Sequence, residues 1–156
     1  MILGLFLITS NMTTGVGLYA EAGYGYYGSG VGFSLRHFTS STTALELVIG
    51  GFSAGEGYSG ISLGGRMPFG IGEAENGYRL VHFIGPALWL AFVSHSYAGH
   101  NDSHVGVGAD FFYELEVWPS PTLPLSLSIG AGIGFNIVPE FRAHFFIPLG
   151  VRFYFN

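Results

Sequence analysis

The chain has 156 residues, a single-domain length, and no cysteine, which excludes disulfide staples and thiolate metal sites. Only 10% of its residues are charged, mean hydropathy is +0.45, and the net charge of −5 comes with five arginines and no lysine, so there is no basic patch and nucleic acid is excluded as a partner. No apolar run reaches the roughly 18 residues of a membrane helix, and a chain this apolar then has one other way to satisfy its backbone in lipid, the closed β-barrel.

Residues 1–12 open with an apolar run, MILGLFL, that lacks alternation and has no basic residue before it. It reads either as the remnant of a signal peptide or as an ordered N-terminal segment, ahead of a barrel domain over residues 13–156. From Val16 the alternation of a strand begins. Val16, Leu18, Ala20 and Ala22 share one face, with Tyr19 and Glu21 among glycines opposite. After a Gly-Ser-Gly turn, Val31, Phe33 and Leu35 oppose Gly32, Ser34 and Arg36. A polar Thr39–Thr43 reversal leads to a third strand with Leu45, Leu47 and Ile49 against Glu46 and Gly50. The fourth sets Ile61, Leu63, Met67 and Phe69 against Ser62, Gly64 and Arg66. Gly70 to Gly77, with Glu73 and Glu75, reads as an acidic connection. A fifth strand, about Tyr78–Ser94, carries Arg79 and Trp89 on one face, and its Pro86 predicts a bulge because proline cannot donate to a ladder.

His95–Ser103 is the loop richest in polar groups. Beyond it, Val105 to Val117 alternate with His104, Asp110, Phe112, Glu114 and Glu116, and a proline-rich turn precedes a seventh strand, Leu125–Asn136, of apolar residues against serine and glycine. The last stretch, Phe141–Asn156, keeps period two longest: Phe145, Ile147, Leu149, Val151, Phe153 and Phe155 on one face, Arg142, His144 and Arg152 on the other. Eight strands joined by short reversals predict an all-β fold, an eight-stranded antiparallel up-and-down transmembrane barrel.

Charge decides which face is outside. Arg36, Arg66, Arg79, Arg142 and Arg152 all fall opposite the apolar residues, together with Glu21, Glu46, Asp110, Glu114 and Glu116. Five of each sign predict a lumen of zero net charge laced with ion pairs, with the excess acid left in the connections. An arginine facing lipid near the midplane costs roughly 2–4 kcal/mol, so a one-residue slip exposing several would cost on the order of 10 kcal/mol. Inward glycines should let Tyr19, Trp89 and Tyr154 lie across them, and the filled lumen of an eight-stranded barrel should leave no large pore.

The alternating strands and the terminal Gly150-Val-Arg-Phe-Tyr-Phe-Asn156 resemble the small eight-stranded outer-membrane barrels of the OmpA/OmpX type. The resemblance implies the bacterial outer membrane, outer-membrane lipids and the barrel-assembly machinery as partners, and a role of Gly150, Phe153 and Phe155 in an assembly signal. It also implies both termini on the periplasmic side. In this sequence the signal departs from the usual form by ending on Asn156.

One cluster has reactive vocabulary. His95, His100 and His104, with Asp102 and neighbouring serines, are the residue types that ligate zinc or activate a serine, and they motivate an alternative reading as a membrane-surface lipid-modifying hydrolase or metal site. Gly99 and Asn101-Asp102 favour a solvated turn over a rigid scaffold. The primary expectation is a non-enzymatic barrel with no cofactor and no catalytic residues, serving as a structural element or as a subunit bound to a protein partner in the membrane.

Overall fold

The computed structural model describes residues 13–24, 29–54, 57–97, 100–120, 123–138 and 141–155; the two readings of residues 1–12 lie outside them. Nine strands form among the described residues: β1 (Thr14–Tyr24), β2 (Ser29–Phe38), β3 (Ala44–Ala54), β4 (Tyr58–Arg66), β5 (Phe69–Glu75), β6 (Arg79–Tyr97), β7 (His100–Trp118), β8 (Leu125–Val138) and β9 (Arg142–Phe155). Every pairing is antiparallel, and β1 pairs with β9, Thr14 opposite Phe155. Strands β4 and β5 both lie against β6 in one continuous register, Arg66 opposite Ala87 and Phe69 opposite Ile84. They are two halves of one stave, so the sheet closes as an eight-stave antiparallel barrel.

The break between β4 and β5 corrects two expectations from the sequence. Strand β6 runs straight through Pro86, which stays in register opposite Phe111. The irregularity lies in its neighbour instead. Met67 donates its N–H to the Pro86 carbonyl at 3.0 Å, and the reciprocal bond cannot form because Pro86 has no N–H. One residue on, the Pro68 carbonyl accepts from the Ala44 N–H at 3.0 Å, and again proline cannot reciprocate. The stretch read as an acidic connection is therefore largely strand. Strand β5 continues to Glu75 beside Arg79, with a register shift between Gly70 and Gly72, and Gly77 takes the positive φ (74°) of the turn.

The barrel is polar within and apolar without. Leu18, Phe33, Leu88 and Phe145 are each more than 60% exposed, and the other large apolar side chains of the outer face join them in a continuous belt. Soluble monomers rarely expose apolar patches beyond a few hundred Å², whereas a transmembrane barrel requires such a belt. Inside, small residues make room for large ones. A Cβ on Gly108 would overlap the Trp89 ring, and one on Gly15 would overlap the ring of Tyr154.

Strands β6 and β7, 19 residues each, form the longest hairpin. Pairing of β7 with β8 stops at Val107 opposite Val138, while the β6–β7 ladder continues to Tyr97 opposite His100. The hairpin thus rises above its β8 neighbour, at the end of the barrel away from Thr14 and Phe155.

Candidate functional site

The inward positions of β2, β3, β4, β7 and β9 converge on a polar plug. Arg36 donates to Glu116 (2.6 Å), Glu114 (2.6 Å) and Glu46 (2.8 Å). Arg66 donates to Glu46 at 2.8 Å and Glu114 at 3.0 Å. Arg152 reaches Glu46 through both Nε (3.0 Å) and Nη2 (2.7 Å), and its Nη1 donates to Ser128 at 2.9 Å. Glu46 and Glu114 are each shared by all three arginines. The Tyr154 hydroxyl donates to Glu116 at 2.6 Å, and the Ser126 hydroxyl also bonds that carboxylate. All six charged side chains are buried, and three guanidiniums against three carboxylates leave the plug neutral. Buried charge is tolerated only when paired and hydrogen-bonded in this way. Phe112 packs under Arg66 with the guanidinium 3.9 Å from the ring centroid, and Phe83 lies 5.2 Å from that of Arg36.

Two of the expected lumenal arginines are not in the plug. Arg79, the first residue of β6, pairs at one mouth with Glu73 and sits over the Trp118 ring. Arg142, the first residue of β9, is exposed at the other. Glu21 and Asp110 do face inward but meet no arginine within ion-pairing distance among the described residues. Glu21 accepts from the Tyr19 hydroxyl at 2.6 Å, and Asp110 from Trp89 Nε1 at 3.0 Å, with His144 Nε2 3.7 Å away. The described barrel interior therefore sets three arginines against five acids, correcting the expectation of five against five.

Above the plug, on the side away from the termini, lies a cavity of about 110 Å³. Gly32, Gly50 and Gly64 on β2, β3 and β4 leave one wall open, and Tyr19, Glu21, Trp89, Asp110, His144 and Phe146 form the other. Each of these side chains lies on the polar face of its strand in the sequence, but nothing in the alternation shows that they meet.

The segment around His95 is not a loop. His95 pairs with Asp102 and Val93 with His104 in the β6–β7 ladder, and the His95 ring stacks on Tyr58 at 4.0 Å between centroids and 7° between planes. Among the described residues no group of three histidines, cysteines or acids is placed to hold a metal. The His100 side chain lies outside the described residues. At the other end of the sequence, Phe153 and Phe155 stand on the outer face, 51% and 42% exposed, while Gly150 faces inward beside Ser128.

Neither a family model nor a curated protein matches the sequence. Solved structures do. The N-terminal β-barrel domain of Pseudomonas aeruginosa OprF is similar with a TM-score of 0.73 at 14% identity, over 92% of this chain and 99% of that one. Neisserial surface protein A is similar with a TM-score of 0.61 at 13% identity, over 92% of this chain and 97% of that one. At such identities the likeness establishes a shared fold, that of the small eight-stranded barrels.

Proposed function

We propose that the chain is a non-enzymatic β-barrel of the bacterial outer membrane, acting as a structural element or as the membrane-embedded subunit of a larger assembly. The observation that carries this reading is the inverted polarity of the barrel, an apolar belt facing out over a neutral plug of Arg36, Arg66, Arg152, Glu46, Glu114 and Glu116. Lipid is the medium that rewards that arrangement. The likeness to an OprF domain and a neisserial surface protein supports the cell envelope as its place. In this reading Gly150, Phe153 and Phe155 serve the assembly machinery, with the two phenylalanines presented on the outer face.

The test is fractionation of bacterial membranes on a density gradient, followed by purification in mild detergent with identification of co-purifying proteins. The chain is expected in the outer-membrane fraction, resistant to alkaline wash, with a partner in stoichiometric amount if it is a subunit. Recovery in the soluble fraction contradicts the membrane reading, and lipid hydrolysis by the pure protein contradicts the non-enzymatic one.

A further inference from the structure

The outer face carries a row of side chains that the apolar belt does not explain. Ser29 on β2 lies directly opposite Ser53 on β3, Ser53 opposite Ser59 on β4, Ser59 opposite Ser94 on β6, and Ser94 opposite Ser103 on β7. All five are in phase with the outward residues of their strands, and all five are exposed. Directly opposed residues stand roughly 5 Å apart, so the hydroxyls form an unbroken line of about 20 Å across five neighbouring strands. No member of the line is charged. Two residues further along each strand, nearer the middle of the barrel, Val31, Gly51, Ile61, Phe92 and Val105 are opposed in the same order. Val31, Ile61 and Phe92 are 70%, 59% and 58% exposed, so a polar row sits directly over an apolar one. Gly51 leaves a hollow between Val31 and Ile61, where the nearest atom to an added Cβ is the Gly60 carbonyl oxygen at 3.7 Å. The other wall differs. At the same end of the barrel, β8 and β9 bring Ile137 and Phe141 to the surface, 53% and 74% exposed, so the line of hydroxyls is one-sided.

We propose that this wall docks a glycolipid with an uncharged saccharide headgroup, whose hydroxyls meet the serine line while an acyl chain lies along Ile61 and Phe92 and enters the hollow at Gly51. A serine hydroxyl both donates and accepts, as a sugar hydroxyl does, so a row of them can pair with a polyol. A phosphate headgroup is a poorer match, because its strong hydrogen bonds come from cationic donors and the line has none. Such docking rests on the belt facing lipid, and the site is continuous with that interface. One lipid molecule straddles the boundary that the two rows mark, its polar part above and its chain below.

The experiment uses the purified full chain in a polyoxyethylene detergent, which brings no sugar of its own, with bound lipid counted by native mass spectrometry. Three lipids with the same acyl chains are titrated: digalactosyl dioleoylglycerol, dioleoyl phosphatidylcholine and dioleoylglycerol. The digalactosyl lipid is expected to bind at least tenfold more tightly than either of the others. Ser53→Ala, Ser59→Ala and Ser94→Ala combined should remove most of that preference, and the same three positions changed to threonine should keep it. Gly51→Phe fills the hollow and should weaken binding with every serine in place, whereas Ile137→Ala on the other wall should leave it unchanged. Equal binding of the three lipids, or an unchanged preference in both the triple alanine variant and Gly51→Phe, would overturn the proposal. A dimer that the triple alanine variant loses would also overturn it, by assigning the wall to a second copy of the chain. Retention of no lipid at all would count against the membrane reading as well, which separates the two failures.

Discussion

Arg36 on β2 and Glu116 on β7, eighty positions apart in the sequence, meet at 2.6 Å inside the barrel, toward the end that carries Thr14 and Phe155. The contact spans the lumen rather than two adjacent strands, so it ties opposite walls together. Because both side chains are fully buried, it also leaves no water to take over if either is removed.

That contrast yields a pair of stability predictions. Arg36→Ala strands Glu46, Glu114 and Glu116 with less compensation and is expected to cost about 3–5 kcal/mol, the range for breaking a buried ion pair. Arg79→Ala removes a pair at the mouth, where both side chains reach solvent, and is expected to cost about 1 kcal/mol or less. Reversible denaturant unfolding in lipid vesicles measures both; equal costs would show that the plug is no more critical than the rim.

The outer face makes a second prediction. Leu149 lies midway along β9 and is 45% exposed, so Leu149→Arg places a guanidinium near the bilayer midplane at a cost of about 2–4 kcal/mol. Leu45, the second residue of β3, is equally outward but close to the edge of the belt. There the same change is expected to cost about 0–1 kcal/mol. Folding of both variants into vesicles checks the depth dependence, and a penalty at Leu45 as large as at Leu149 would contradict this placement of the belt.

A third prediction concerns conduction. Arg36, Arg66, Arg152 and their three carboxylates fill a lumen already narrowed by Phe112 and Tyr154. Planar-bilayer recording of the purified protein should show no steady, porin-like current. Such a current would mean that the plug is not the resting arrangement.

The polar hairpin supplies the fourth. His95→Ala removes the stack on Tyr58, an interaction of about 0.5–1.5 kcal/mol. Hydrogen exchange should therefore accelerate at backbone amides of residues 94–104 and remain unchanged around Arg36. Acceleration throughout the barrel would show the hairpin to be part of its core.

These residues also show what the sequence could and could not convey. Alternation assigns each side chain to a face, because strand geometry alternates regardless of context, and it placed Arg36, Arg66 and Arg152 inward together with Glu46, Glu114 and Glu116. Alternation says nothing about height along the barrel. Height depends on the stagger between strands, which is a property of the closed sheet. Arg79 and Arg142 share the inward phase of their strands yet sit at opposite mouths, and for the same reason the meeting of Glu21, Asp110 and His144 in one cavity was invisible. The hairpin tip misled by composition. Serine, histidine and asparagine suggest a loop, but ladder hydrogen bonds come from the backbone, and Ser94–Tyr97 pair with His100–Ser103 all the same. Pro86 did mark an irregularity, and its missing N–H expressed itself in the strand next door, at Met67.

The central claim is that one face of every stave meets lipid and the other meets the plug. The chain has no cysteine, so single labels can be placed at will. Nitroxides at Phe146→Cys, Ile147→Cys, Leu149→Cys and Val151→Cys, in protein folded into vesicles, measure it through their accessibility to oxygen, which concentrates in lipid, and to a water-soluble nickel chelate. The three outward positions, 42–50% exposed, are expected to favour oxygen strongly, while position 146, buried inside, is shielded from both. Access of oxygen to position 146 equal to that at 147 and 149, or access of the nickel chelate to all three outward positions, would contradict the account.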